Sequence, residues 1–152
     1  MKPRIAALFF IVLSTLGFLD ATYLTVEHYR GIVPPCSIVV GCATVTTSSY
    51  SLIFNIPVAL LGSLYYLTIL LLSVAYLDSK KEPILRLAAG LTVCGFLASA
   101  WFVFVQWQVI KAWCLYCIGS ATSSTLLFIL GMAYLKKHPR TLWEKIRGFL
   151  HF

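Results

Sequence analysis

Residues 57–77 read PVALLGSLYYLTILLLSVAYL, a stretch that contains no charged side chain. An α-helix needs about 20 apolar residues to cross the hydrocarbon core of a bilayer. Three more stretches of this kind cover residues 5–26, 84–110 and 113–135, and together they contain only two charged residues. Because a lipid-exposed span must satisfy its own backbone hydrogen bonds, the four stretches predict an all-α, integral membrane four-helix bundle.

The composition agrees with a single membrane domain over residues 1–152. The chain is 60% hydrophobic and only 11% charged, whereas soluble domains are roughly 25% charged. A net charge of +7 could suggest nucleic acid, but that partner needs a basic face on a soluble fold. Here the basic residues lie between apolar runs, so we expect the lipid bilayer as the partner and no nucleic acid.

The basic residues are divided unevenly between the two sides, ten against two. By the positive-inside rule, the rich side is cytoplasmic. Both termini, including the tail 136–152, are therefore predicted to be cytoplasmic in a cell (plasma or inner) membrane. The cytoplasmic set is Lys2, Arg4, Lys80, Lys81, Arg86, Lys136, Lys137, Arg140, Lys145 and Arg147, and the external set is Arg30 and Lys111.

The two ends of the chain each allow two interpretations. The N-terminal run resembles a secretory signal, but it lacks a small-residue cleavage site and three spans follow it, so we expect a mature helix. The tail from Lys136 is typical of a short interfacial helix or of a simple anchoring segment.

The external loop, residues 27–56, is unusual because no charged residue occurs between Gly31 and Leu77. A solvated loop of this length would carry some charge. We therefore predict that residues 31–55 form a lid over the outer mouth of the bundle, with a short helix near Cys42–Ser49. The apolar triplets 38–40 and 52–54 favour burial over disorder.

Four of the five cysteines fall on the external side. Cys36 and Cys42 lie in the loop, and Cys114 and Cys117 begin the fourth span. In a bacterial or archaeal cell this is the side on which disulfides form and persist. Cys94 lies in the middle of the third span and is interpreted as a small packing residue.

Residues 113–117 read WCLYC, a CxxC motif at a helix N-terminus. Residues three apart share a helix face, and the free amides and helix dipole stabilise a thiolate. A structural disulfide here would close too short a loop to stabilise much. A zinc site would also require the loop cysteines, whose C-x5-C spacing is loose. The motif therefore favours a redox pair, and no metal is expected.

The loop pair, Cys36 and Cys42, can close a disulfide only if the backbone between them bends, and Gly41 favours such a bend. A mobile loop disulfide can exchange with an external dithiol and then with the CxxC. A fixed clamp that holds the lid is the alternative.

Electrons that reach the CxxC need an acceptor, and the chain has no haem, dinucleotide or iron–sulfur motif. A lipid-soluble quinone is an acceptor that requires no cofactor motif. Its pocket would be apolar, with a few hydrogen bonds to the quinone oxygens. Aromatic residues near the outer leaflet are candidates for its walls, although each could instead be an interfacial anchor. Asp20, costly inside a span, could relay protons or bind a local partner.

These residues resemble the vitamin K epoxide reductase family, over residues 16–135. The matching features are Cys36 with Cys42, the stretch CATVTTSSY at residues 42–50, IPVALLG at residues 56–62, and WCLYC at residues 113–117.

The resemblance implies a four-helix bundle around a quinone (ubiquinone, menaquinone or vitamin K-like). Cys117 would be nearest the ring, Cys114 would exchange with the loop pair, and Ser48 would bind a quinone oxygen. Tyr50 takes an aromatic position of the family. With the aromatic residues nearby, the predicted quinone contacts are Ser48, Tyr50, Phe54, Trp113 and Tyr116.

The sequence departs from the family's pattern at three points. Val58 stands where animal members carry an asparagine, and Ala121 stands where they carry an aromatic residue. Many microbial members also have a fused thioredoxin-like domain. Because the sequence ends at Phe152 without one, we expect a separate external thioredoxin-fold dithiol protein as the partner.

The expected function is a membrane thiol-disulfide oxidoreductase that oxidises this partner and reduces a quinone, thereby supporting disulfide formation. Physiological reduction of quinones or quinone epoxides is one alternative, and a structural subunit with passive disulfides is another. An unrelated disulfide oxidase would usually carry its CxxC in the first external loop. A metal carrier is disfavoured because Met1 and Met132 are the only methionines.

Overall fold

The computed structural model describes residues 2–33, 35 and 41–138. Four long helices dominate it: α1 (Pro3–Arg30), α3 (Val58–Ser79), α4 (Glu82–Phe104) and α5 (Leu115–Lys137). All four are long and apolar enough to cross a membrane, which confirms the predicted all-α bundle. Cys36, the loop triplet 38–40 and the predicted tail helix beyond residue 138 lie outside the described residues.

The helices form a closed arrangement in which α1 and α4 each pack against both α3 and α5. Small residues allow close approach between them, as is usual for helices in membranes. Gly17 on α1 lies against the ring of Tyr66, and Gly131 on α5 faces Ala89 and Thr92 on α4. A side chain at either glycine would push the helices apart. One apolar core cluster is shared by the bundle and includes Phe10, Tyr66, Ile69, Leu85, Leu127 and Tyr134.

The helix ends are set by local backbone chemistry. Pro3 suits the first turn of α1 because its missing amide hydrogen has no helical partner there. Gly31 ends α1 with φ 67°, and its amide donates to carbonyl oxygens of the last turn. Lys80 and Lys111 end the next two spans in the same left-handed conformation.

The third span ends in an irregular way. After Phe104 the helix continues as a π-helical segment, Val105–Ile110. Such segments widen the turn and are frequent at functional sites. Residues 111–114 then connect it to α5 without regular structure.

The lid, described over residues 41–57, contains the short helix that was predicted. This helix, α2, covers Cys42–Thr46 and is followed by a 3-10 turn, Ser49–Ser51. A hairpin comes next, formed by β1 (Leu52–Ile53) and β2 (Ile56–Pro57). Its two turn residues both have positive φ, as a tight hairpin requires.

The hairpin corrects one expectation. Burial was predicted for residues 52–54, but Phe54 lies at the tip of the turn and is 96% exposed in the protein. Leu52 and Ile53 are also partly exposed. The pairing of β1 with β2 places the apolar run at the edge of the lid instead of under it.

Candidate functional site

The lid and the start of α5 meet around two cysteines. Cys42 and Cys114 belong to one buried cluster with Val45. Packed against this cluster are Ile110, Ala112, Tyr116 and Cys117. Cys42 is 2% exposed and Cys114 is 0% exposed. The fold therefore brings one cysteine of the loop and one cysteine of the CxxC motif into the same packed environment.

The described cysteines differ in their bonding. Cys42 takes part in a disulfide, whereas Cys114, Cys117 and, on α4, Cys94 do not.

Gly41 sets how closely the lid approaches the CxxC motif. A methyl group on Gly41 would lie 2.8 Å from the carbonyl oxygen of Trp113 and 3.1 Å from the Ala112 side chain. Both distances are too short for a relaxed contact. Only glycine therefore lets the start of α2 lie directly on the backbone that precedes Cys114.

Gln106, in the π-helical segment, binds the backbone of Cys114. Its side-chain Oε1 accepts a hydrogen bond from the Cys114 backbone N–H at 3.1 Å, and its backbone oxygen accepts one from Ala112 at 3.3 Å. The residue is 3% exposed. The amide group therefore anchors the link that carries Cys114 into α5.

Gln106 is a site residue that the sequence does not mark clearly. The available signal was a polar amide in an otherwise apolar span, eight residues before Cys114. That signal was ambiguous because Gln108 follows two residues later, and Gln108 is exposed.

The Cys114 thiol lies just before the first turn of α5, where it is activated. The Cys117 thiol donates a hydrogen bond to its sulfur, and this lowers the pKa of Cys114 to about 7. Backbone amides of Tyr116 and Cys117 act in the same direction, while burial opposes them. The free amides and the dipole at a helix N-terminus stabilise a thiolate, and cysteines at such positions are therefore reactive.

A cavity of about 420 Å³ lies behind the CxxC motif, walled by the four long helices and the lid. Cys117 lines this cavity and Cys114 does not. Most of the wall is apolar, with a few polar groups. The polar or ionisable members include Asp20, His28, Ser48, Tyr50, Tyr65, Tyr66, Gln106, Ser120 and Ser124.

Two of the five predicted quinone contacts line this cavity, Ser48 and Tyr50. The Ser48 hydroxyl donates to the Val45 carbonyl oxygen at 2.7 Å, so it would have to rotate to donate to a ligand. Val58 and Ala121, the positions that depart from animal members, also line it. Small side chains at both positions leave room on two sides of the cavity.

The other three predicted contacts lie elsewhere. Phe54 is at the hairpin tip, and Trp113 is partly exposed in the link before α5. Tyr116 packs against Tyr23, with ring centroids 5.3 Å apart, and its hydroxyl donates to the Pro35 carbonyl oxygen at 3.4 Å. Tyr116 thus connects α5 to α1 and to the lid.

Tyr66 and Ser120 are cavity residues that the sequence did not reveal. The Tyr66 hydroxyl donates to the Ser120 carbonyl oxygen at 2.6 Å and lies 3.0 Å from its Oγ. Ser120 follows Cys117 by about one helical turn. A hydrogen bond between α3 and α5 therefore fixes two polar groups of the cavity wall.

The cavity has the size and the lining of a small-molecule pocket. Its volume is within the range of roughly 300–1,000 Å³ for small-molecule pockets, which are mostly apolar with a few polar groups. Within residues 2–33, 35 and 41–138, no three His, Cys, Asp or Glu residues are grouped as metal ligands would be.

Comparison with known proteins agrees with this arrangement. The family model described as the vitamin K epoxide reductase family matches residues 8–132. The chain is also 31% identical over 127 residues to the thiol-disulfide oxidoreductase LTO1 of Arabidopsis thaliana, and the match covers 78% of this chain. The match covers 34% of that plant protein, so the chain spans about a third of its length. The chain belongs to the vitamin K epoxide reductase family.

Proposed function

We propose that this multi-pass membrane protein is a thiol oxidase that passes electrons from an external dithiol protein to a quinone. One observation carries the proposal: of the two CxxC cysteines, Cys117 lines the cavity while it also packs against the cluster that contains Cys42 and Cys114. Cys114 packs with Cys42 under the lid, and Cys117 lines the apolar cavity. A pair placed in this way can receive electrons on one side and release them on the other.

The route begins at the loop pair. A reduced thioredoxin-fold protein reduces the Cys36–Cys42 disulfide by thiol-disulfide exchange. The Cys42 thiolate then attacks Cys114 in the oxidised CxxC pair, which releases Cys117 as a thiolate. Attack of Cys36 on Cys42 re-forms the loop disulfide and releases Cys114, so the pair of electrons now resides on the CxxC.

The lowered pKa of Cys114 supports this direction. In thiol-disulfide exchange a thiol with a lower pKa leaves faster. Cys114, with a pKa of about 7, is a good leaving group in the last exchange.

The cavity residues define how a quinone would be held. Ser48 and Tyr50 would hold its polar edge, and the small side chains of Val58 and Ala121 would leave space for its ring. When bound, a quinone supplies an acceptor for two electrons and two protons. Cys117 lines the cavity where these must be delivered. The excess of basic residues on the opposite side supports an external position for this site.

The test is turnover with and without Cys117. Purified protein is supplied with a reduced thioredoxin and a short-chain ubiquinone, and quinone loss is followed by ultraviolet absorbance. Cys117→Ala is expected to abolish quinone-dependent oxidation of the thioredoxin, whereas Ser79→Ala, which changes an exposed side chain outside the cavity wall, retains it. Normal turnover of Cys117→Ala contradicts the proposal. A quinone epoxide in place of the quinone separates the alternative activity.

A further inference from the structure

Asp20 is an acidic residue in the C-terminal half of α1 and belongs to the cavity wall. Its Oδ2 atom is buried and has no hydrogen-bond partner among the described residues. A carboxylate inside a membrane span is costly unless it is paired or hydrated, and such residues commonly mark proton paths. Local packing therefore supplies no hydrogen-bond partner for Oδ2, which leaves this oxygen able to accept a proton.

The surroundings of Asp20 contain no fixed positive charge. No lysine or arginine lines the described wall of the cavity. The Tyr66 hydroxyl is already committed to Ser120 on α5. The titratable groups that face the cavity are His28 on α1, Tyr50 in the lid, Tyr65 and Tyr66 on α3, Cys94 on α4 and Cys117 on α5.

Asp20 lines the same cavity as Cys117 and Tyr66. Among the groups that face the cavity, Asp20 is thus a carboxylate that shares one apolar space with Cys117 and has an oxygen available to accept a proton.

We propose that Asp20 is a catalytic residue that takes the proton of the Cys117 thiol at Oδ2 and delivers it to an oxygen of the quinone. The inference rests on the proposed function.

The protons and electrons balance as follows. The Cys114–Cys117 disulfide forms, and the two sulfurs lose two electrons and two protons. The quinone takes up the same number of each. Asp20 carries the proton from Cys117 and returns to a carboxylate. The Cys114 proton is exchanged with water at the external face, and the second quinone oxygen is protonated from that water.

The test separates the two half-reactions of the full-length protein. For the quinone half-reaction, pre-reduced protein is mixed anaerobically with a short-chain ubiquinone and quinone absorbance is followed in a single turnover. For the thiol half-reaction, oxidised protein is mixed with a reduced thioredoxin without quinone. Both rates are measured from about pH 5 to about pH 9, a range that includes the pH values at which side chains can titrate near physiological conditions.

Asp20→Asn is expected to slow the quinone half-reaction by about 100-fold or more near neutral pH, as loss of a general base does. The deficit should shrink as pH rises, because hydroxide then replaces the missing base. The thiol half-reaction should be unchanged. Asp20→Glu, which keeps the carboxylate, should recover most of the rate. Thr22→Val, which changes a neighbouring polar side chain of α1 outside the cavity wall, should behave as the parent protein.

Three outcomes would overturn the inference. The first is an Asp20→Asn quinone half-reaction at the parent rate at all pH values. The second is a deficit that stays constant with pH, and the third is an equal loss in both half-reactions without recovery in Asp20→Glu. The last two indicate a structural role. If the parent protein itself does not reduce the quinone, the proposed function fails instead.

Discussion

The chemistry of the site depends on single residues that hold Cys114. Gln106 supplies the acceptor for its backbone N–H at 3.1 Å, in a buried position. A buried donor without an acceptor costs about 1–3 kcal/mol. Gln106→Leu should therefore lower the free energy of unfolding by about 1–3 kcal/mol and slow exchange between Cys42 and Cys114. Denaturant unfolding in detergent and the thiol half-reaction measure the two effects.

Gln108 provides the matched control for this prediction. It lies in the same π-helical segment but is exposed. Gln108→Leu should change neither stability nor exchange rate by comparable amounts. Equal losses of stability and exchange rate in the two variants would contradict the prediction. They would show that leucine is not tolerated in this segment, and that loss of the hydrogen bond to Cys114 does not cause the effects.

A second prediction concerns the pKa of Cys114 and its dependence on Cys117. Since the Cys117 thiol is the main cause of its lowering to about 7, removing that donor should raise the pKa towards its ordinary value. In reduced protein, thiolate absorbance in the ultraviolet should appear as pH rises through about 7. In Cys117→Ala this absorbance should appear at a higher pH. In Cys117→Ser, which keeps a hydrogen-bond donor, it should appear at a pH between those of the parent protein and Cys117→Ala. An unchanged titration in Cys117→Ala contradicts the assignment.

At the scale of elements, the lid and α5 meet through Gly41. Gly41→Ala should move α2 away from Cys114, because the added methyl group would lie 2.8 Å from the Trp113 oxygen. We expect the thiol half-reaction to slow by about tenfold, which corresponds to roughly 1.4 kcal/mol. The quinone half-reaction of pre-reduced protein should slow less, and not by zero, because Ser48 and Tyr50 of the lid line the cavity. Single-turnover rates for both steps measure this.

Gly119→Ala is the control for the same change in side chain. Gly119 is exposed on α5, and a methyl group there would meet nothing within 4 Å. This substitution should leave both half-reactions unchanged and stabilise the helix slightly. A quinone step slowed by Gly41→Ala as much as or more than the thiol step would mean that the lid acts mainly on the cavity and not on the exchange of cysteines.

The elements also show how far the sequence could predict the fold. Long charge-free runs define the four spans because hydrophobic length alone determines whether a helix can cross a bilayer. The π-helical segment at residues 105–110 has no such signal, since its apolar and polar residues also fit an α-helix. The hairpin at residues 52–57 was missed because its turn, Phe54-Asn55, lacks the glycine that usually marks a tight turn.

At the scale of the whole molecule, the protein separates an exchange cluster from an apolar cavity. The exchange cluster is Cys42, Val45 and Cys114, and Cys117 connects it to the cavity. The basic-residue count and the loop positions predicted that the cysteines share one side, and Ser48 and Tyr50 were predicted as cavity residues. Spacing could not predict the positions of Phe54 and Trp113, because aromatic residues near an interface serve as anchors or as walls.

The central claim is that Cys114 exchanges with the lid while Cys117 serves the cavity. Two variants test it: one keeps only Cys42 and Cys114, and the other keeps only Cys42 and Cys117, with the remaining cysteines changed to alanine. After mild oxidation in membranes, digestion and mass spectrometry measure the disulfide-linked peptides. The account predicts nearly complete linkage of Cys42 to Cys114 and little linkage of Cys42 to Cys117. Equal or preferred linkage of Cys42 to Cys117 would contradict it.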